Sequence, residues 1–252
     1  MIARGFADVD GTSAPGDFIE YLDAVSGLEA VGVYKRLTIA RLGLGTGDRV
    51  LDVGCGTGDD VAALTAIVQP TGIAVGIDAS RAMIAEGRRR AVSSVLLVAD
   101  AHRLPFDDEW FDCCRADRTL MHVDDVDLVL AEMVRVTRSG GRIVVSEPDW
   151  ETLAIDAEDR ALTRQLANTI CDSHRNGWIG RQLVGRLKER GLVEITMDPV
   201  TLVMTDRRVA HHVFGLGSVI QHPELEADLD RRSTSGRFFA SLTGFIVAGR
   251  KP

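Results

Sequence analysis

The run Val50-Leu51-Asp52-Val53-Gly54-Cys55-Gly56-Thr57-Gly58-Asp59-Asp60 constrains the fold of this chain more than any other stretch. A short apolar strand passes through an acid into three glycines at alternate positions. Glycine has no Cβ and accepts positive φ, so the backbone there can turn sharply and lie close to a ligand. From Asp60 to Val68 apolar residues recur at helical spacing, which predicts a helix opening directly from the loop. Strand, glycine loop and helix N-terminus in that order form the ligand crevice of an open parallel sheet.

Two phosphate-binding patterns fail here. The dinucleotide fingerprint G-x-G-x-x-G needs its third glycine where this chain has Asp59, and a carboxylate would repel a pyrophosphate. The triphosphate-cradling loop needs a Lys-Ser or Lys-Thr pair after the glycines, and none follows. A ligand with an adenosine and no phosphates remains. Alone, G-x-G-x-G also suits an ordinary strand-to-helix turn, but three further strand ends narrow the reading. Ile73 to Ile77 reads as a second strand ending at Asp78, 26 residues after Asp52, where a carboxylate accepts from ribose hydroxyls. Val95 to Ala99 reads as a third, ending at Asp100-Ala101, whose carboxylate and backbone N–H suit an adenine edge. Trp110 to Ala116 reads as a fourth, followed by Asp117-Arg118-Thr119-Leu120-Met121-His122. Singly, each acid is as well explained as a helix cap or a solvated strand end. In register on consecutive strands, they point to one binding site.

The segments VLDVGCGTGD, VGIDASRAMI, VADAHRLPF, WFDCCRADRTLMHV and AEMVRVTRSGGRIVVSEPD run nearly continuously from residue 48 to 149. They resemble the class I S-adenosylmethionine-dependent methyltransferases, most closely the small-molecule group of the ubiquinone/menaquinone-biosynthesis type. Ser139-Gly140-Gly141 departs slightly from the Pro-Gly-Gly common in that family. The resemblance implies a Rossmann-like α/β fold: a seven-stranded, mostly parallel sheet, helices on both faces and an antiparallel last strand. It implies S-adenosyl-L-methionine as cofactor and S-adenosyl-L-homocysteine as product. Asp52, Gly54, Gly56 and Gly58 would surround the methionine end, with Cys55 in the same loop. Asp78 would hold the ribose, with Ala79 and Met83 beside the adenine. Asp100 and Ala101 would bind the adenine edge, and a carbonyl near Arg115 would meet the cofactor's amino group.

Composition agrees with a soluble enzyme: 45% apolar residues, 5% aromatics and a formal charge of −8, which disfavours a nucleic-acid partner. No apolar window approaches the roughly 18 residues a membrane span needs, and Met1 to Gly11 lacks a signal-peptide core. Cys55, Cys113, Cys114 and Cys171 form no C-x-x-C pair, so no metal is expected, and free thiols suit a cytoplasmic setting. Arg88-Arg89-Arg90 reads as a solvated helix end. We expect a monomer or homodimer.

Residues 1–252 read as one domain, with an N-terminal helical lid (1–45) and a cofactor core (46–150). An inserted helical lid over the acceptor (150–180) and the C-terminal part of the sheet (181–252) follow. Within the first lid, Tyr21 is placed at the cofactor. Helices are expected over 15–44, Val126 to Val136, 155–177 and most of 206–230, with a break at Gln221-His222-Pro223. Strands are expected at Arg142 to Ser146, Leu192 to Met204 and Arg237 to Arg250, with Pro199 tolerable on an edge strand.

A sulfonium activates its own methyl group, so the protein must align a small-molecule acceptor and receive a proton. Of six histidines, His122 lies nearest the emerging methyl and is the candidate base; a structural turn role is the competing reading. His174, Arg175 and Trp178 are candidates for binding an anionic or aromatic acceptor, with Arg118 and Arg181 as further acceptor-side residues. His211-His212 reads as a surface pair. Two other classes stay open: a cofactor-binding cyclase or related non-methylating enzyme of this fold, and a non-catalytic regulatory subunit.

Overall fold

The computed structural model describes residues 5–90, 95–216 and 222–252. Two helices, α1 (Pro15–Ser26) and α2 (Glu29–Leu42), precede the sheet. Proline at its start favours α1 and Gly43, at φ +64°, ends α2 in the left-handed conformation. Then strands and helices alternate except between β3 and β4, which a loop joins: β1 (Arg49–Val53), α3 (Asp59–Val68), β2 (Ile73–Asp78), α4 (Arg81–Arg89), β3 (Val95–Val98), β4 (Phe111–Asp117), α5 (Val126–Val136) and β5 (Thr137–Pro148). Alternation with apolar strands is what a parallel sheet covered on both faces requires. Val50, Leu51 and Val53 are fully buried, and each such side chain contributes about 1.5–3 kcal/mol through desolvation.

The sheet runs β3-β2-β1-β4-β5-β8. The first five strands pair in parallel, and β8 (Ala240–Arg250) returns antiparallel to β5. β7 (Val193–Met204) lines the outer side of β8 along its length, so Pro199 has an edge position and removes no ladder bond on a second neighbour. Among the described residues the expected seven strands are all present, and an eighth, unexpected one joins them. β6 (Ala154–Ile155) pairs with Ser241 and Ala240 and prolongs the line of β5. Two residues leave no periodicity to read, and they fell inside the stretch expected to begin the inserted helix. That helix is shorter than expected: α6 (Arg160–Ser173), capped by the Asp159 carboxylate, which accepts from Ala161 N–H and Leu162 N–H. α7 (Ile179–Glu189), α8 (Arg207–Val213) and α9 (Pro223–Thr234) complete the chain. Gln221, in the expected break between α8 and α9, lies outside the described residues. β5 starts earlier than expected because Gly140, at φ +76°, lets the ladder bend and continue. Among the arginines closing α4, Arg88 donates to the Leu96 carbonyl, Arg89 pairs with Glu86, and Arg90 pairs with Glu86 and Asp23.

Candidate functional site

All four parallel strand ends from β1 to β4 open on one cavity of ≈ 310 Å³, within the range of small-molecule sites. Asp52, Gly54, Cys55, Gly56, Asp78, Ala79, Met83, Asp100, Ala101 and Arg115 line it, together with Tyr21. The glycine loop is built by backbone. Gly54 N–H and Cys55 N–H donate to the Ile77 carbonyl, and Gly56 N–H donates to Asp78 Oδ2. Gly54 adopts φ +72°, and a Cβ there would fall 2.2 Å from Thr119 Oγ1, so only glycine fits. Gly58 is different from its two neighbours. It does not line the cavity; at φ +82° it starts α3, and a Cβ would press on Leu96. Its role in the fold is helix–sheet packing.

Asp78 is half-buried at the tip of β2. Its Oδ1 accepts from Ser80 N–H, and its Oδ2 is held against Gly56. Burial raises its pKa, opposed by those N–H donors. Each oxygen keeps a further lone pair for a hydroxyl donor. Asp100 accepts from His102 N–H, which lowers its pKa, and also contacts the His102 ring. One tie was missed at the sequence level. The Asp10 carboxylate accepts from Ser80 Oγ, Arg81 N–H and Ala82 N–H, fastening the N-terminal segment to the start of α4. An acid beside a helix N-terminus 70 residues away leaves no local signal.

Beneath the loop stands a charge cluster. The Arg115 side chain is 1% exposed and donates to Asp52 (2.8 Å), Asp60 (2.9 Å), Asp117 (3.0 Å) and Thr38 (3.1 Å). Lys35 pairs with Asp60 at 3.0 Å, and Tyr34 Oη donates to Asp117. Burial pushes Asp52 up to about 6 despite Arg115. Burial acts the same way on Asp60, but Arg115 and Lys35 outweigh it and hold this carboxyl down at about 2. Sequence reading found Arg115 only through its backbone; the side chain turns out to hold the floor of the crevice together.

The far half of the cavity is aromatic. Phe6, Tyr21, His122, Trp150, His174, His212 and Phe214 face it. The rings of Trp150 and His174 stack at 4.1 Å and 16°. Phe6 contacts His122 at 5.4 Å and Tyr21 at 5.5 Å. His174 is buried, which pushes its pKa down to about 4 and keeps the ring neutral. With Nδ1 2.9 Å from the Ile170 carbonyl, the proton belongs on Nδ1 and Nε2 is left as an acceptor. Tyr21 Oη donates to the Val213 carbonyl, joining α1 to α8. His212, expected to be one of a surface pair, is exposed but rests its ring on Tyr21 and borders the cavity.

The 118–122 turn that carries His122 hangs on one buried carboxyl. Glu147 accepts from Thr119 N–H (2.8 Å), Leu120 N–H (2.5 Å) and Met121 N–H (3.3 Å). Burial pushes its pKa up to about 8 against these donors. Arg175 borders the cavity and pairs with Asp124. Trp178 and Arg181, expected on the acceptor side, lie outside the cavity wall. Trp178 is half exposed, and Arg181 grips the buried Asp149 and the rim acid Glu151. The sequence placed them near the site because α7 follows the lid directly, but the first turn of α7 faces away. Arg118 lines the cavity nearer the strand tips than expected, among Tyr34, Asp117, Tyr21 and Asp60. Among the described residues, no group of three or more His, Cys, Asp or Glu side chains is arranged to hold a metal, and no helix is long and apolar enough to cross a membrane.

Comparison with known proteins places this arrangement. Residues 44–195 match the family described as "Methyltransferase domain". An uncharacterized 37.1 kDa protein in transposon TN4556 of Streptomyces fradiae is 37% identical over 94% of this chain and 72% of its own length. The ubiquinone/menaquinone biosynthesis C-methyltransferase UbiE of Saccharophagus degradans is 39% identical over 46% of this chain. That match spans about half (49%) of the relative's length. Among solved structures, the YcgJ protein from Bacillus subtilis superposes with a TM-score of 0.63 at 19% identity, over 86% of this chain and 98% of its own. The [4+2]-cyclase SpnF superposes with a TM-score of 0.59 at 24% identity, over 88% of this chain and 82% of its own. These two likenesses establish the shared fold. Family match, near-full-length relative and strand-tip geometry agree: the chain belongs to the methyltransferase-domain family and is an S-adenosylmethionine-dependent methyltransferase.

Proposed function

We propose that this protein methylates an O, N or C nucleophile of a small, largely apolar or aromatic metabolite, with no metal ion and with His122 as the base. The observation that supports this most is the division of one cavity. Strand tips and glycine loop form one half; Phe6, His122, Trp150, His174 and Phe214 form the other. The residues fit the cofactor: buried Asp117 Oδ1 has no partner among the described residues, and the Asp78 carboxylate has lone pairs to spare at the ribose end. When bound, S-adenosylmethionine supplies a methyl already activated on its sulfonium. The chain's own residues do the rest. Asp78 and Asp100 orient the adenosine, and the aromatic wall excludes water and presents the acceptor in line with the crevice. His174, neutral and bare at Nε2, receives a hydrogen bond from the acceptor and fixes its angle. His122, on the turn anchored by Glu147, takes the proton.

Quinone-type acceptors are one candidate class, since the UbiE relative is 39% identical over 46% of this chain. The aromatic wall draws on Phe6 ahead of the glycine loop and on Trp150, His174 and Phe214 after β5. The test is mass spectrometry of the purified protein incubated with S-adenosylmethionine and a metabolite extract. Release of S-adenosylhomocysteine with a product heavier by one methylene unit is expected. His122→Gln should lower turnover by about 100-fold while leaving cofactor affinity intact. A product isomeric with its substrate, and no S-adenosylhomocysteine, would replace this reading by cyclisation.

A further inference from the structure

Two stacked rings on the acceptor wall carry complementary hydrogen-bonding groups. Trp150 is 6% exposed and lines the cavity, and its buried Nε1 has no partner among the described residues. A buried indole N–H normally finds an acceptor, because leaving it bare costs free energy. His174 is buried beside it and spends Nδ1 on the Ile170 carbonyl at 2.9 Å, which leaves Nε2 as an acceptor. The two rings lie 4.1 Å apart and 16° from parallel. Backbone bonds hold both residues in place. Trp150 N–H donates to the Gly177 carbonyl, the Trp150 carbonyl accepts from Leu153 N–H, and His174 N–H donates to the Cys171 carbonyl. The turn after β5 and the end of α6 thus bring one donor and one acceptor to the same stretch of wall.

What this pair fits follows from its charge and its polarity. Arg175, on the same cavity wall, is already paired with Asp124, and the Asp149 carboxylate, next to Trp150 in the chain, is held by Arg181. Pro148, Ile170, Phe214 and Leu242 add apolar surface to the cavity. A carboxylate could accept from Trp150 but has no proton for His174; an ammonium could donate to His174 but cannot accept from Trp150. A hydroxyl does both through one oxygen. Burial keeps His174 neutral, with its pKa pushed down to about 4, so the ring is too weak a base to take the proton it is offered. A hydroxyl bound there keeps its proton.

We infer that Trp150 Nε1–H and His174 Nε2 together hold a hydroxyl of the acceptor, and that this hydroxyl is an anchor, distinct from the atom that is methylated. This rests on the methyl-transfer reading above, which gave His174 one half of the contact. It narrows the acceptor to a neutral skeleton that carries a hydroxyl as well as its nucleophile. The His122 ring lies 6.5 Å from the His174 ring, so a skeleton anchored at one can present a second atom to the other. Trp150 thereby becomes a specificity-determining residue, selecting hydroxylated acceptors over bare, anionic or cationic ones of the same shape.

The test uses the protein saturated with S-adenosylhomocysteine, in which no methyl can move, and measures three probes by equilibrium dialysis: 1-naphthol, naphthalene and 1-naphthoate. In the unaltered protein 1-naphthol should bind about tenfold more tightly than naphthalene, the scale of a hydrogen-bonded group against none, and 1-naphthoate should bind most weakly. Trp150→Phe and His174→Phe each keep a ring in the stack and remove one polar group. Each should weaken 1-naphthol by about tenfold while moving naphthalene and S-adenosylhomocysteine by no more than about twofold. The last two ligands therefore report whether wall and fold are intact. Equal affinity of 1-naphthol and naphthalene, a preference for 1-naphthoate, or variants that weaken both neutral probes alike would overturn the inference and leave methyl transfer standing. Binding of none of the three would overturn it together with the aromatic-acceptor reading. Failure to bind S-adenosylhomocysteine at all would remove the methyl-transfer reading and this inference with it.

Discussion

The two halves of the cavity are built in opposite ways. On the cofactor side, β1, β2, β3 and β4 follow one another in the chain and end side by side, and each contributes a residue or two at its tip. On the acceptor side, Phe6, Tyr21, His122, Trp150, His174 and Phe214 come from segments spread over some 200 residues. The difference follows from what each half must recognise. An adenosine presents fixed hydroxyls and ring nitrogens, and a regular array of strand ends meets them with regularly spaced acids. An acceptor is met by shape and aromatic surface, which any folded segment can supply. The first half is therefore ordered by polar groups with few alternatives, and the second by ring packing that tolerates change.

The sharpest way to break that contrast is to attack the floor of the cofactor half. Arg115→Met leaves Asp52, Asp60 and Asp117 buried without their common cation. Removal of one partner from a buried ion cluster costs about 3–5 kcal/mol, so chemical denaturation should show a loss of that size, enough to unfold a marginal protein. If the midpoint hardly moves, the cluster does not organise the crevice. Next is Asp78→Ala. It removes the proposed ribose acceptor together with the bonds from Gly56 N–H and Ser80 N–H, so S-adenosylhomocysteine should bind about 100-fold more weakly, a larger effect than the loss of those two loop bonds on stability.

This contrast also explains what was legible in the sequence. β1 to β4 could be read because apolar strands, turn glycines and tip acids repeat at a regular interval, and the sheet order follows from that repeat. The places of Asp52 and Asp78 on the cavity wall followed from their position at strand ends alone. The Arg115 side chain was not, because a cation inside an apolar strand gives no hint of which carboxylates surround it. β6 is too short to carry a pattern. Phe6 reaches the cavity, and Asp10 ties to the start of α4, from a segment of 14 residues before α1 with no periodicity, and His212 borders the cavity only because α8 packs on α1 through Tyr21 and Val213. Trp178 and Arg181 misled by nearness in sequence to His174, since the chain turns away between them.

A smaller effect sharpens the acceptor side. His174 has its pKa lowered to about 4 by burial, against an ordinary 6.5 in the unfolded chain. Below pH 6.5 the unfolded chain takes up the proton first, so the stability this ring gives is present above that pH and is lost as pH falls towards 4. Relative to a His174→Gln variant, the unaltered protein should lose about 2 kcal/mol of unfolding free energy between pH 7 and pH 5. A flat difference over that window would mean that the ring is hydrated and that its stacking on Trp150 does not persist.

The mildest predictions concern the two residues that the cavity excludes. Arg181 donates through two nitrogens to Asp149, whose side chain is 1% exposed, and through a third to Glu151. Its guanidinium carbon also lies 5.5 Å from the Trp178 ring. These contacts pin the short helical turn after β5, where Trp150 begins the aromatic wall. Arg181→Gln strands a buried carboxylate and should cost about 1–3 kcal/mol, visible as a lower denaturation midpoint. Trp178→Ala removes a half-exposed ring over an already fixed cation and should cost less than about 0.5 kcal/mol. Once an acceptor is in hand, neither change should alter its KM by more than about twofold, because neither side chain reaches the cavity. A tenfold rise in KM with Trp178→Ala would mean that α7 swings inward when the acceptor binds. The acceptor half would then be assembled by the acceptor itself, while the cofactor half stands preformed.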